Sequence, residues 1–450
     1  MKSLTDRVDQ LFAEWNKPDS PGCAIGIIKG SEMIYKSGYG LASLEHNIPI
    51  SSKTVFYIAS TSKQFTAMSI LLLADQGRIS LDDAIQNYLP EFPEYNNYIT
   101  IRHLIYHTSG IRDYLQLMGL AGMNVSNIYT NEDIIELLAR QKYLNFEPGD
   151  DFLYNNSGYF LLSMIVKRAS GQSLREFAEE NIFEPLGMKN TRFCDDRTMI
   201  VRNRATGHFS KEDGGLRVYM TNFDKVGSGG VMSNVEDLFL WDQNFYENKL
   251  GKSDTINELL TVGTLNSGKR VKYAFGLKVG KYRGLNTIHH EGSSFGFGAE
   301  MLRFLEKNFS VICLANMSNI NTLRLAKQIA DIYLADQFKL LDIPPKSQDI
   351  PREPMSLPIH RLKEFLGHYH SNELQVTYKL VLKEGNLFFS HKNPPREHLE
   401  PSGNDKFQVS NIDEFIRYIY IDFIRDEQNK VAGFVLNTPG VKNLHFVRIN

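Results

Sequence analysis

The sequence predicts an α+β protein: an antiparallel sheet flanked by helices, followed by a small all-β appendage. Three observations predict it. β-rich runs near Cys23 and again after residue 270 enclose a helical middle. A polar stretch at 338–358, with Pro344, Pro345, Pro351, Pro354 and Pro358, reads as a semi-rigid linker. Beyond it come short alternating β runs at regular spacing, the pattern of a small barrel or sandwich. A chain of 450 residues is long enough for two domains. The boundaries expected are 1–337 for the larger one, 338–358 for the linker and 359–450 for the appendage.

Taken in order, Leu4, Val8, Leu11, Phe12 and Trp15 fall on one helical face. Residues 23–29 and 33–37 form a hairpin across Gly30-Ser31-Glu32. An apolar helix over 65–75 is stopped by Gly77. Thr130 with Asp133, Ser173 with Glu176 and Ser233 with Glu236 read as capping boxes that start further helices. Pro148-Gly149 is a turn, and Ser157-Gly158 opens a helix through Phe160, Leu161, Met164 and Ile165. Strands are expected at 273–279, 287–290, 299–305 and 309–315, then a helix at 322–336. In the appendage the strand runs are 378–382, 387–390, 415–424, 431–436 and 444–449.

Composition narrows the function. A formal net charge of −2 gives no electrostatic case for nucleic acid or an anionic membrane. The longest apolar run, about 67–74, is far short of a membrane span. Cys23, Cys194 and Cys313 are odd in number and widely spaced, so they read as structural thiols and not as a disulfide framework or a zinc site. The first residues lack an apolar signal core, which points to the cytoplasm, or to the periplasm or exterior if a signal peptide has been removed. His103 and His107 have the spacing of a zincin helix, but Leu104 stands where the metalloprotease base is needed.

The chemistry is concentrated in three clusters. Ser60 and Lys63 stand three apart at the head of the apolar helix, so they share a face. A serine hydroxyl needs such a neighbour to become a nucleophile, and a helix N-terminus favours a developing oxyanion. Tyr154-Asn155-Asn156 sits in a loop before a helix. His290-Glu291-Gly292 ends a short strand, with glycines beyond that let a substrate approach the backbone. These clusters, with Gly38-Tyr39-Gly40-Leu41-Ala42 and the segments at 101–111, 183–188 and 227–238, resemble the penicillin-binding protein and serine β-lactamase superfamily. The branch is that of class C β-lactamases, D-alanyl-D-alanine carboxypeptidases, D-aminopeptidases and esterases, whose Ser-x-x-Lys and Lys-Thr-Gly signature is a recognised catalytic motif.

The resemblance, over about residues 5–335, implies a β-lactamase/transpeptidase-like sheet flanked by helices with an all-helical subdomain, and an appended lipocalin-like or D-aminopeptidase-type barrel. It implies a Ser60 acyl-enzyme assisted by Lys63, with Tyr154 as proton shuttle. Asn156 would bind the substrate amide, and the backbone N–H groups of Ser60 and Ser293, beside Gly292, would form the oxyanion hole. His290 would be a further catalytic residue, lining the opposite wall and polarising Tyr154 or orienting the substrate. No metal or organic cofactor is called for, and the partner is a small molecule or short peptide, with a homo-oligomer as the expected assembly. His290 replaces the strand lysine of penicillin-binding proteins and resembles the His-x-Gly of D-aminopeptidases and esterases. A D-amino-acid-specific peptidase, amidase or esterase therefore ranks first. A β-lactamase or D-alanyl-D-alanine carboxypeptidase ranks second, and a catalytically idle assembly module third. All three clusters precede the linker, so the chemistry reads as complete without the appendage.

Overall fold

The computed structural model describes residues 3–449 apart from 126, 212–213, 340–354, 391–396 and 411–414. Most of the expected linker therefore lies outside the described residues. The chain divides into two compact units. The first is Met1–Leu89, Thr100–Thr108 and Gly158–Asp342, and the second is Pro90–Ile99, Ser109–Ser157 and Ile343–Asn450.

The first unit is built on an antiparallel six-stranded sheet. Its strands are β1 (Cys23–Lys29), β2 (Glu32–Tyr39), β3 (Lys278–Tyr282), β4 (Leu285–Ser294), β5 (Phe297–Phe304) and β6 (Phe309–Ala315), in the order β3-β4-β5-β6-β1-β2. β5 and β6 are buried along their whole length. That follows from runs such as Phe309-Ser-Val-Ile-Cys-Leu-Ala, which carry apolar or small side chains to both faces. One face packs on helices Leu4–Phe12 and Thr322–Tyr333 through Val8, Phe12, Leu325 and Ile329. On helix Val235–Glu247, Val235 comes so close to β1 that a Cβ at Gly26 would lie 2.6 Å from its Cγ1. Cys23 and Cys313 are buried free thiols, and burial pushes the Cys194 thiol up to about 11.

Local signals decide most boundaries. Thr130 and Ser173 cap their helices in the expected boxes. The helix expected to start at Ser233 starts instead at Val235, with Asn234 accepting from the Asp237 N–H. Ser233 is unavailable because it ends a short strand, Val231–Ser233, that pairs with Phe56–Tyr57 and Arg192–Phe193. The strand expected at 273–279 is found at Lys278–Tyr282. Gly276, at φ +70°, turns the chain just before it and leaves Tyr273 outside the strand.

The second unit holds a closed antiparallel barrel. Its strands are β7 (Gly367–Ser371), β8 (Val376–Lys383), β9 (Asn386–Ser390), β10 (Glu397–Pro401), β11 (Lys406–Ser410), β12 (Tyr418–Arg425), β13 (Val431–Asn437) and β14 (Leu444–Ile449). Each pairs with the next, and β7 closes on β14. The interior is aromatic: Phe434 stacks on Phe446 and Tyr378 on Phe389. The same unit contains helices Tyr114–Leu120 and Asn131–Ala139. Among the described residues no helix is long and apolar enough to cross a membrane.

Candidate active site

Ser60 lies in a single 3₁₀ turn, Ala59–Ser62, that runs directly into helix Lys63–Asp75. The residue before it, Ala59, has φ 45°, a left-handed conformation that costs energy for any side chain. Tertiary hydrogen bonds hold the turn in place. Ile58 N donates to Val231 O, Val231 N donates to Ser62 Oγ at 3.0 Å, and Gln64 Nε2 donates to Thr61 O at 2.9 Å. Gln64 is fixed in turn by the indole N–H of Trp241, so a buried polar chain supports the turn from below.

Lys63 is 0% exposed. Its Nζ donates to Ser60 Oγ at 3.1 Å and to Ser228 O at 2.6 Å, and it sits 5.6 Å from the centroid of the Tyr159 ring. The carbonyl comes from the glycine-rich segment 227–230, in which Gly227 has φ +105° and Gly230 φ +100°. Thr66 Oγ1 donates to Gly227 O at 2.8 Å and pins the same segment. Ser228 and Thr66 are thus site residues that motif reasoning missed. The local signal for Ser228 is the run Gly227-Ser-Gly-Gly, which opens one of the segments that carry the family resemblance.

β4 runs beside the serine turn. Thr61 Oγ1 donates to His290 O at 3.1 Å, and a Cβ at Gly292 would lie 2.1 Å from Ile58 O and 3.0 Å from Ser60 N. Only glycine permits that approach. Ser293, next along, is exposed and faces Gly298 across the ladder.

His290 is 1% exposed, and both ring nitrogens have protein partners. Nδ1 lies 2.6 Å from Glu291 O and Nε2 lies 3.0 Å from Tyr273 Oη. A carbonyl only accepts, so Nδ1 carries the proton and Nε2 accepts from the tyrosine. Burial pushes the imidazole down to about 3, and the charge of Lys63 acts in the same direction. His290 is therefore neutral at physiological pH.

Glu291 points away from this pair and meets the Lys278 ammonium. Among the described residues His289, Glu291 and Glu300 form the group able to hold a metal ion, their ligand atoms within 4.8 Å of one another. Lys278 already supplies a positive charge to that cluster. His103 lies in helix Ile101–Ile105, but His107 lies beyond it at φ 58°, so the two do not share a helical face.

Tyr154 and Asn156 belong to the second unit. Tyr154 is half-buried in the loop just before helix Asn156–Ser170. Asn156 donates to Asp113 Oδ2 through its backbone N at 2.7 Å and its Nδ2 at 3.0 Å. The neighbouring Asn155 is buried and donates from Nδ2 to Ile111 O at 2.6 Å.

Comparison with known proteins gives the family and the fold. Residues 8–334 match the Beta-lactamase family. The chain is 27% identical to penicillin-binding protein 4* of Bacillus subtilis, over 84% of this chain and 86% of that protein. It is also 27% identical to a D-aminopeptidase of Gluconobacter oxydans, over 66% of this chain but only 56% of the aminopeptidase. The fold is similar to that of an octameric penicillin-binding protein homologue from Pyrococcus abyssi, with a TM-score of 0.65, 23% identity and 99% of each chain covered.

Proposed function

The chain belongs to the beta-lactamase family of serine hydrolases, and from that premise we propose that it cleaves amide or ester bonds next to a D-amino acid through a Ser60 acyl-enzyme. The observation that carries the reading is the buried Lys63 donating to Ser60 Oγ at 3.1 Å at the head of a helix. Ser60 attacks the acyl carbon and Lys63 helps remove its proton and steadies the developing charge. Tyr154 takes that proton, returns it to the leaving group and then activates the deacylating water. The Ser60 and Ser293 N–H groups receive the oxyanion, Gly292 leaving room for it, and Asn156 holds the substrate amide. No metal or organic cofactor enters these steps.

His290 favours the D-aminopeptidase side of the family. Penicillins and peptides ending in D-alanine present a free carboxylate, which a strand lysine meets with a fixed cation. A neutral, buried imidazole that accepts from Tyr273 offers no such charge; it ties β4 to Tyr273. Kinship with D-aminopeptidases supports the same choice, and the octameric homologue supports self-association of this chain.

The test pairs labelling with a substrate panel. A fluorophosphonate probe should label the wild type and not Ser60→Ala, with both proteins equally folded. D-aminoacyl amides and p-nitrophenyl esters should turn over faster than their L counterparts and than nitrocefin. Unchanged labelling of Ser60→Ala would refute the nucleophile. Nitrocefin as best substrate, with no D preference, would make the protein a β-lactamase. A folded wild type that neither labels nor turns over any panel member would be an idle module.

A further inference from the structure

We propose that the C-terminal barrel is a positioning element for Tyr154, acting through an adaptor made of Ile111, Arg112 and Asp113. The inference rests on the reading of Tyr154 as proton shuttle, and everything it uses lies within the second unit.

One side of the adaptor is fixed to the barrel. Arg112 has no exposed side-chain surface and pairs with Glu373, 5% exposed, at 2.7 Å. Its Nε donates to Lys442 O at 3.1 Å and its Nη2 to Asn443 O at 2.7 Å, in the turn between β13 and β14, while Nη1 also donates to Gln141 Oε1 at 2.8 Å. Asp113 N donates to Gly440 O at 3.0 Å in the same turn. Gln116 Oε1 accepts from Gly440 N, and Asn145 bridges Gly440 O and Lys442 N.

The other side is fixed to the residues that follow Tyr154. Ile111 O accepts from Asn155, Arg112 O from the Ser157 hydroxyl at 2.7 Å, and Asp113 Oδ2 from Asn156 twice. Three consecutive residues therefore join the barrel to residues 155, 156 and 157. A buried arginine held by a carboxylate, a side-chain amide oxygen and two backbone carbonyls has one geometry, because its planar fork fixes the directions of all its bonds. Asp113 spends Oδ1 capping helix Tyr114–Leu120, from Leu115 N and Gln116 N, and so cannot rotate to follow a displaced loop. Holding a catalytic group in place matters because a misplacement of about 1 Å can cost roughly a hundredfold in rate.

Two substitutions distant from the chemistry probe the link. Glu373→Gln weakens the anchor of Arg112. Gly440→Ala places a Cβ 2.9 Å from the Cβ of Asp113, pushing on the residue that holds Asn156. Because the first strands a charge, Arg112→Met/Glu373→Met serves as a companion that removes both charges and can keep the fold. Each protein is checked for wild-type circular dichroism and assembly state, then assayed with a p-nitrophenyl ester. The expected result is a fall in kcat of roughly 10- to 100-fold, with KM changed less than about threefold.

Tyr154→Phe supplies the control. Alone it should lower kcat by roughly 10²–10⁴-fold, and in its background Glu373→Gln or Gly440→Ala should have almost no further effect. Folded variants with wild-type kcat, or effects that multiply undiminished in the Tyr154→Phe background, would overturn the positioning role. Full activity in Tyr154→Phe, with chemistry rate-limiting, would instead remove the shuttle reading itself, and that single variant tells the two failures apart.

Discussion

His290 keeps its proton on Nδ1 because the Glu291 carbonyl it meets there can only accept, and its neutrality follows from burial beside Lys63. That has a consequence for stability with a definite sign. The folded value of about 3 lies below the ordinary histidine value of about 6.5. The unfolded chain therefore binds the extra proton first as pH falls. Stability from the neutral imidazole is fully present above pH 6.5 or so and is lost as pH falls toward 3, at up to about 1.4 kcal/mol per pH unit. Glu291 complicates the lower part of the window. Burial would raise it, but the hydrogen bond from Lys278 and nearby positive charge outweigh that and bring it to about 2. The clean comparison is between roughly pH 6.5 and 5, above the ordinary glutamate range. There, denaturant midpoints of His290→Gln should depend less on pH than those of the wild type. His103 and His208, also lowered by burial, contribute equally to both proteins. Identical slopes would mean that His290 is charged in the folded state.

Between elements, the meeting of β4 with the turn at Ala59–Ser62 is the most demanding fit in the site. A Cβ at Gly292 would meet Ile58 O at 2.1 Å, and a backbone atom cannot swing aside as a side-chain tip can. Gly292→Ala should therefore separate strand from turn and lower kcat/KM by roughly a hundredfold or more, while the core of β5 and β6 keeps the protein folded. Ester kinetics with circular dichroism check this, and a near-wild-type rate would mean the strand does not shape the oxyanion site. What the sequence revealed at this scale depended on range. β1, β6 and β14 are found where their β-branched and aromatic runs place them, at Cys23–Lys29, Phe309–Ala315 and Leu444–Ile449. β10 and β11, with Glu397-His-Leu-Glu-Pro and Lys406-Phe-Gln-Val-Ser, carry little such signal and exist through pairing with neighbours. The site divides in the same way. Ser60 and Lys63 were legible because three residues of spacing bring them together. The Ser228 carbonyl and the Tyr273 hydroxyl were not, since only tertiary folding delivers them.

For the molecule as a whole, the order of motifs along the chain and the division into units give different expectations for a truncation. Read linearly, Ser60, Tyr154 and His290 all precede the proline-bearing segment, and a chain ending near residue 339 would keep its chemistry. In the second unit, however, the barrel and residues 109–157 share one interior. Arg112 pairs there with Glu373, and Tyr378, fully buried in the barrel, donates to Leu120 O at 2.7 Å. Removing one partner of a buried ion pair costs about 3–5 kcal/mol because the other charge is left without compensation. A typical domain is stable by only about 5–15 kcal/mol in total. The loss of Tyr378 and of the turn at 438–443 also takes away hydrogen bonds that Asn145, Gln116 and the Asp113 N–H make there. Truncation after residue 339 should therefore yield protein that aggregates, or that folds with residues 109–157 unprotected in hydrogen exchange and ester turnover reduced in step with Tyr154→Phe. The barrel alone, residues 355–450, should fare no better, since Glu373 would then be the stranded charge. Soluble yield, exchange protection at 109–157 and ester kinetics on both pieces decide the matter. A monodisperse truncated chain with the wild-type ester rate would show that the motifs are self-sufficient and that the barrel is an independent appendage.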